Sequence, residues 1–212
     1  MQAPNPNSRL EAFCDGVFAI ALTLLIIDIK IPATIEIDST DALWLALRHA
    51  LPSIFAFVLS FAIILITWVN HHNALQLAVK TSNAFIYANG LLLLSVVFIP
   101  FPTSLIGEYI LTDYAAPAVV LYNLVLMLQS LGWVCICTTA LSGHLVVGET
   151  AIQQTRQNRN YAYYSVTGYA VLAVLSFWFP KPIAIFTVLL WIVWLMVGIR
   201  IKGGEADQMD MY

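Results

Sequence analysis

Charge is scarce in this sequence. Only 10% of its 212 residues are Asp, Glu, Lys or Arg, against about 25% in an ordinary soluble domain. Hydrophobic residues make up 60%, more than a chain of this length can hide inside itself, because a folded surface needs polar cover. A purely water-exposed globule is therefore excluded, and a lipid bilayer is the implied partner. The net charge of −3 argues against nucleic acid. Cysteine is nearly absent: Cys14, Cys135 and Cys137 give no disulfide framework. The last two diverge on a helix and read as structural rather than metal-binding. No small-residue cleavage site follows the first apolar stretch, so the sequence predicts that this stretch stays in the mature protein. There is no internal repeat, no arginine-rich voltage-sensing helix, and no zinc or nucleophile motif of workable spacing.

What the chain has in abundance is long apolar runs. Crossing a hydrocarbon core of ~30 Å takes about 20 apolar residues in a helix. Such runs lie between residues 50 and 70, 81 and 107, 114 and 143, 160 and 180, and 182 and 199, the last two parted by Pro180-Lys181-Pro182, which reads as a tight turn. Gly16 to Ile27 is short between Asp15 and Asp28, but Phe13 and the stretch from Ile29 to Pro32 extend it. The sequence thus predicts an all-α membrane protein. A single domain over 1–202 holds six transmembrane helices at about 9–32, 48–72, 82–107, 114–142, 160–180 and 182–201, and a polar tail follows over 203–212. With an even number of spans, Arg9, Lys80, Arg156, Arg159, Arg200 and Lys202 share the side of the N-terminus, while Lys30, Arg48 and Lys181 lie opposite with Glu36, Asp38, Asp41, Glu108 and Asp113. Six cations against three put both termini in the cytoplasm.

The first helix stands out. A carboxylate held at membrane depth must face protein or water, since lipid exposure costs about 2.5–3.5 kcal/mol. On a helical wheel Gly16, Ile20, Leu24 and Ile27 make one stripe with Thr23 at its edge, and Asp15 points elsewhere. Asp15 has polar company near the same depth: Arg9, Trp68, Asn70, His71, His72, Asn83 and Asn89. Buried polar groups in a bilayer must be paired, so these residues are candidates for one interhelical layer. His71 and His72 are adjacent and diverge by about 100° on a helix, which disfavours a shared metal ion.

Arg9-Leu-Glu-Ala-Phe13-Cys14-Asp15, running into Gly-Val-Phe-Ala-Ile-Ala-Leu-Thr-Leu-Leu, resembles the R-x-x-x-F-S-D signature that opens the first helix in the transmembrane protein 175 family. These are endosomal and lysosomal potassium channels and their prokaryotic relatives. Trp68-Val-Asn-His71 looks like the family's W-x-x-H, and Asn89 with the run ending Phe98-Ile-Pro-Phe-Pro-Thr103 agrees loosely. The motif's serine is Cys14 here, and a thiol is a poorer hydrogen-bond donor. The resemblance implies a six-helix subunit whose first helix lines a central pore in a homotetramer, conducting potassium without the usual carbonyl filter and without a cofactor. Carried over by position, Ile20, Thr23, Leu24 and Ile27 would line the pore, with Ile20 its narrow point. Arg9, Phe13, Asp15, Trp68, His71 and Asn89 would belong to the interhelical network. Thr167-Gly168-Tyr169 is no filter of the T-V-G-Y-G kind, since it sits in an unbroken apolar span. A secondary transporter is the rival reading, although its usual repeats and midplane polar sites are not visible; an intramembrane enzyme built on Asp15, His71 and His72 is a third.

Overall fold

The computed structural model describes residues 7–29 and 37–192. The Asp28 side chain, Lys30, Glu36, Arg200, Lys202, the last part of the sixth predicted span and the tail over 203–212 lie outside the described residues. Among the described residues all regular structure is helical: α1 (Ser8–Leu24), α2 (Thr40–Gln76), α3 (Asn83–Phe98), α4 (Pro100–Tyr109), α5 (Ala115–Ser142), α6 (Glu149–Leu175) and α7 (Pro180–Ile192), with a 3₁₀ turn (Leu25–Asp28) closing α1. Among the described residues four helical stretches are long and apolar enough to cross a membrane, namely α1 with its 3₁₀ turn, α2, α3 with α4, and α5. This is a multi-pass membrane protein. The described part of α7 is apolar but short, and polar residues fill the first half of α6.

Local chemistry sets the helix ends. Ser39 Oγ accepts from the Ala42 amide at 3.1 Å and Ser82 Oγ from the Phe85 amide at 3.2 Å, so both serines are N-caps. Gly148 precedes α6 at φ 95°, a backbone state that costs a side-chain-bearing residue. Pro100 has no amide hydrogen, so the third rod breaks between α3 and α4 at Ile99. Pro180-Lys181-Pro182 is not the turn expected from the sequence. The turn occupies residues 176–178 and both prolines lie in the first turn of α7, where the missing amide hydrogens would have had no intrahelical acceptor.

The rods alternate in direction. Asn7 Nδ2 donates to the Ala78 carbonyl at 2.6 Å, Ala78 bridges to Val146, and the Val79 amide donates to the Leu145 carbonyl at 2.9 Å. The start of α1, the α2–α3 loop and the α5–α6 loop therefore share one end. Lys181 Nζ reaches the Leu111 carbonyl at 3.5 Å, joining the start of α7 to the α4–α5 loop at the other end. In the core, α1 and its 3₁₀ turn bury Cys14, Phe18, Ala21 and Leu25, spaced three or four apart, against Ile64, Val96, Ile99 and Leu126. Helices in lipid gain little from hydrophobic burial and rely on close packing instead. Gly132 allows it: a Cβ there would lie 2.8 Å from the Leu92 Cα, so α3 and α5 touch backbone to backbone.

Candidate functional site

Helix α1 carries Asn7 at its cap, then Glu11 and Asp15, at intervals of four, so the three side chains rise along one face. The antiparallel α2 brings Trp68 and His72 past them with the same interval. Trp68 Nε1 donates to Asp15 Oδ1 at 2.7 Å. His72 Nδ1 lies 2.9 Å from Glu11 Oε1, and Gln76 Nε2 donates to the other ring nitrogen at 2.8 Å. The Asn7–Ala78 bond makes the lowest rung. On the far side of α2, His71 is buried and its Nε2 donates to Asn89 Oδ1 on α3 at 2.7 Å; Asn89 Nδ2 donates to the Phe85 carbonyl, also at 2.7 Å. Phe18 and Trp133 rings pack around the imidazole. Polar contacts thus run from α1 through α2 to α3 at one end of the bundle.

Of the predicted network, the fold joins Asp15 with Trp68 and His71 with Asn89. Arg9 and Phe13 stay outside it in the single chain. Arg9 is exposed, and among the described residues no hydrogen bond or ion pair reaches it. The Phe13 ring is 63% exposed and stands over the same face as Ile20, about 20° away on the helical wheel. Cys14 is sealed in the core.

The opposite face of α1 is open. Ile20, Leu24 and Ile27 are 58%, 37% and 68% exposed, and Thr23 is exposed with its Oγ1 donating to the Ile20 carbonyl at 2.8 Å. Gly16 continues the stripe, and a Cβ there would meet nothing within 4 Å. Sequence reasoning missed the Glu11–His72 rung, which the E-x-x-x-D interval on α1 against W-x-x-x-H on α2 would have suggested. It also missed three polar links deeper in the bundle: Ser60 with Thr103 at 2.7 Å and Tyr122 at 3.1 Å, Gln129 to Thr67 at 3.1 Å, and Thr187 to Asn123 at 3.1 Å. Single polar residues in apolar runs were their only signal. Among the described residues no three metal-ligating side chains cluster, and Thr167-Gly168-Tyr169 is plain helix inside α6.

A model of the family described as "Endosomal/lysosomal potassium channel TMEM175" matches residues 9–100. A potassium channel of Chamaesiphon minutus is 48% identical over 124 residues, 58% of this chain, and the chain spans 61% of that relative's length. A potassium channel of Streptomyces collinus is 42% identical over 130 residues, 61% of this chain and 62% of the relative. The crystal structure of a lysosomal potassium-selective channel TMEM175 homolog from Chamaesiphon minutus matches with a TM-score of 0.80 at 33% identity, covering 91% of this chain and 97% of that one. The chain belongs to the TMEM175 family. The stretch matched by the TMEM175 family model takes in α1, α2 and α3 and ends at Pro100, the first residue of α4. The exposed α1 face and every rung that includes Glu11, Asp15, Trp68, His71 or Asn89 lie within it. Nothing in the names of these TMEM175 relatives points to an enzyme; they are named as channels.

Proposed function

We propose that this protein is a potassium channel built from four copies, with α1 of each subunit lining a pore on the symmetry axis and both termini cytoplasmic. The observation that carries the reading is the division of α1 into two faces. One is locked into the subunit by Cys14, Phe18, Ala21 and Leu25 and by the Asp15–Trp68 rung; the other, from Gly16 to Ile27, is left open. A pore on a symmetry axis needs equivalent copies of one such helix around it, and the relatives are named as potassium channels.

Four copies of Ile20 around the axis offer no polar atom to replace a potassium ion's hydration shell. Such a ring closes by contact or by dewetting, and conduction requires it to widen. Leu24 and Ile27 extend the apolar stretch, and Thr23 sets a hydroxyl at its edge. Without a ring of backbone carbonyls, discrimination against sodium is weaker than in a filter-bearing channel. The rungs link this face to the rest of the subunit: an α1 movement that widens the Ile20 ring either carries the end of α2 with it or breaks the Trp68 and His72 contacts.

Single-channel recording from purified protein in a planar bilayer tests the reading, together with its mass in detergent. Potassium-carrying unitary currents and a fourfold subunit mass are expected. Slow, saturable transport with no unitary steps, or a monomer as the stable species, would overturn it.

A further inference from the structure

We infer that α6 carries a binding site for an anionic phospholipid, with Arg156 and Arg159 holding the headgroup phosphate. The exposed residues of α6 form one unbroken stripe along the helix, and its chemistry changes in the order of a lipid molecule. After Glu149, Thr150 and Gln153 at its start come Arg156 and Asn160, then Tyr163, then Val171 and Val174, all exposed. Tyrosine marks the boundary between headgroup and acyl chain in membrane helices. Arg156 stands about 10 Å above Tyr163 along the axis, at headgroup level, and the valines lie below it at acyl depth.

Arg156 and Arg159 stand about one turn apart on α6. Neither makes an ion pair among the described residues, and no acid lies three or four positions away on the helix. Glu149 is seven residues from Arg156 and ten from Arg159, about 10 and 15 Å along the axis and beyond ion-pair reach. Arg159 is half-buried, and its Nε is buried with no hydrogen-bond partner among the described residues. A half-buried guanidinium that meets no acid among the described residues suits a phosphate, since its planar donors match phosphate oxygens. The face is accessible: α6 packs chiefly on α5, whereas α1 packs on α2 and α3. If the open face of α1 turns to the axis, α6 lies on the lipid-facing rim.

The test uses the full chain in a neutral detergent, with dioleoylphosphatidylglycerol as the probe, read by native mass spectrometry and by the shift in melting temperature. Dioleoylphosphatidylcholine and inorganic phosphate are the comparison arms. The anionic lipid alone is expected to be retained and to raise the melting temperature. Arg156→Gln touches an exposed side chain, so the fold survives, and it weakens retention about fivefold, from roughly 1 kcal/mol per basic residue at a membrane surface. Arg156→Gln with Arg159→Gln weakens it about thirtyfold on the same basis, and Lys80→Gln, an exposed cation at the same end, leaves it unchanged. Equal retention of the zwitterionic lipid, an equal effect of inorganic phosphate, an equal loss in Lys80→Gln, or unaltered retention in both arginine variants would each overturn the proposal. The readout is binding rather than current, so the result stands apart from the conduction path.

Discussion

Replacing Trp68 by Phe removes one donor, the indole N–H 2.7 Å from Asp15 Oδ1, and keeps an aromatic ring in the α1–α2 contact. A hydrogen bond to a charged acceptor contributes about 1.5–3 kcal/mol net. This pair is part-buried, so water can reach the freed carboxylate oxygen, and the lower end, about 1.5 kcal/mol, is the expected pairwise term. The smaller ring also loses packing, so the single change alone would overstate the bond. A double-mutant cycle with Asp15→Ala isolates it. Four proteins are purified in one detergent and unfolded by a denaturant titration. Trp68→Phe is expected to cost about 2–3 kcal/mol, or about 4–12 °C in melting temperature for a chain of this size. The coupling energy should be near 1.5 kcal/mol. Trp44→Phe makes the same chemical change at an exposed position and should stay within about 0.5 kcal/mol of the parent. A coupling energy below about 0.5 kcal/mol would refute the idea that this rung holds α1 to α2.

Three further outcomes are expected. Ile20→Asn wets the constriction, raises the potassium current and loosens the preference over sodium, whereas Leu22→Asn, on the packed side of α1, lowers yield without that phenotype; unchanged conductance and selectivity in assembled Ile20→Asn protein would move the conduction path off α1. Gly132→Ala drives a methyl group against the α3 backbone at Leu92 and should destabilise the subunit by about 1–3 kcal/mol, while Gly168→Ala, where a Cβ meets nothing within 4 Å, should be neutral or slightly stabilising, as thermal unfolding of both variants will tell. Cysteines placed at Ser39 and Glu108 should react with a membrane-impermeant reagent from outside the cell and one at Glu149 only from inside; the reverse labelling pattern would invert the topology.

Composition alone determined that this chain lives in a bilayer, because a ratio of six apolar residues to one charged residue leaves no water-soluble arrangement with its surface covered. Helical periodicity divided α1 into an apolar stripe and a separate face bearing Asp15, since a wheel position depends only on the local 3.6-residue repeat. The sequence motifs supplied the family, and with it Trp68, His71 and Asn89 as a group. Which of those residues touch was decided by tertiary structure. Asp15 meets Trp68 and His71 meets Asn89 because the antiparallel register of α1, α2 and α3 places them level, and register between helices far apart in sequence is not a local property. The same register pairs Glu11 with His72, leaves Arg9 and Phe13 on the outside of the single chain, and seals Cys14 in the core where the motif has serine. The prolines after α6 mark the limit of local reading: they signal a break in either case, and only the path of the chain decided that they open α7 instead of forming the turn.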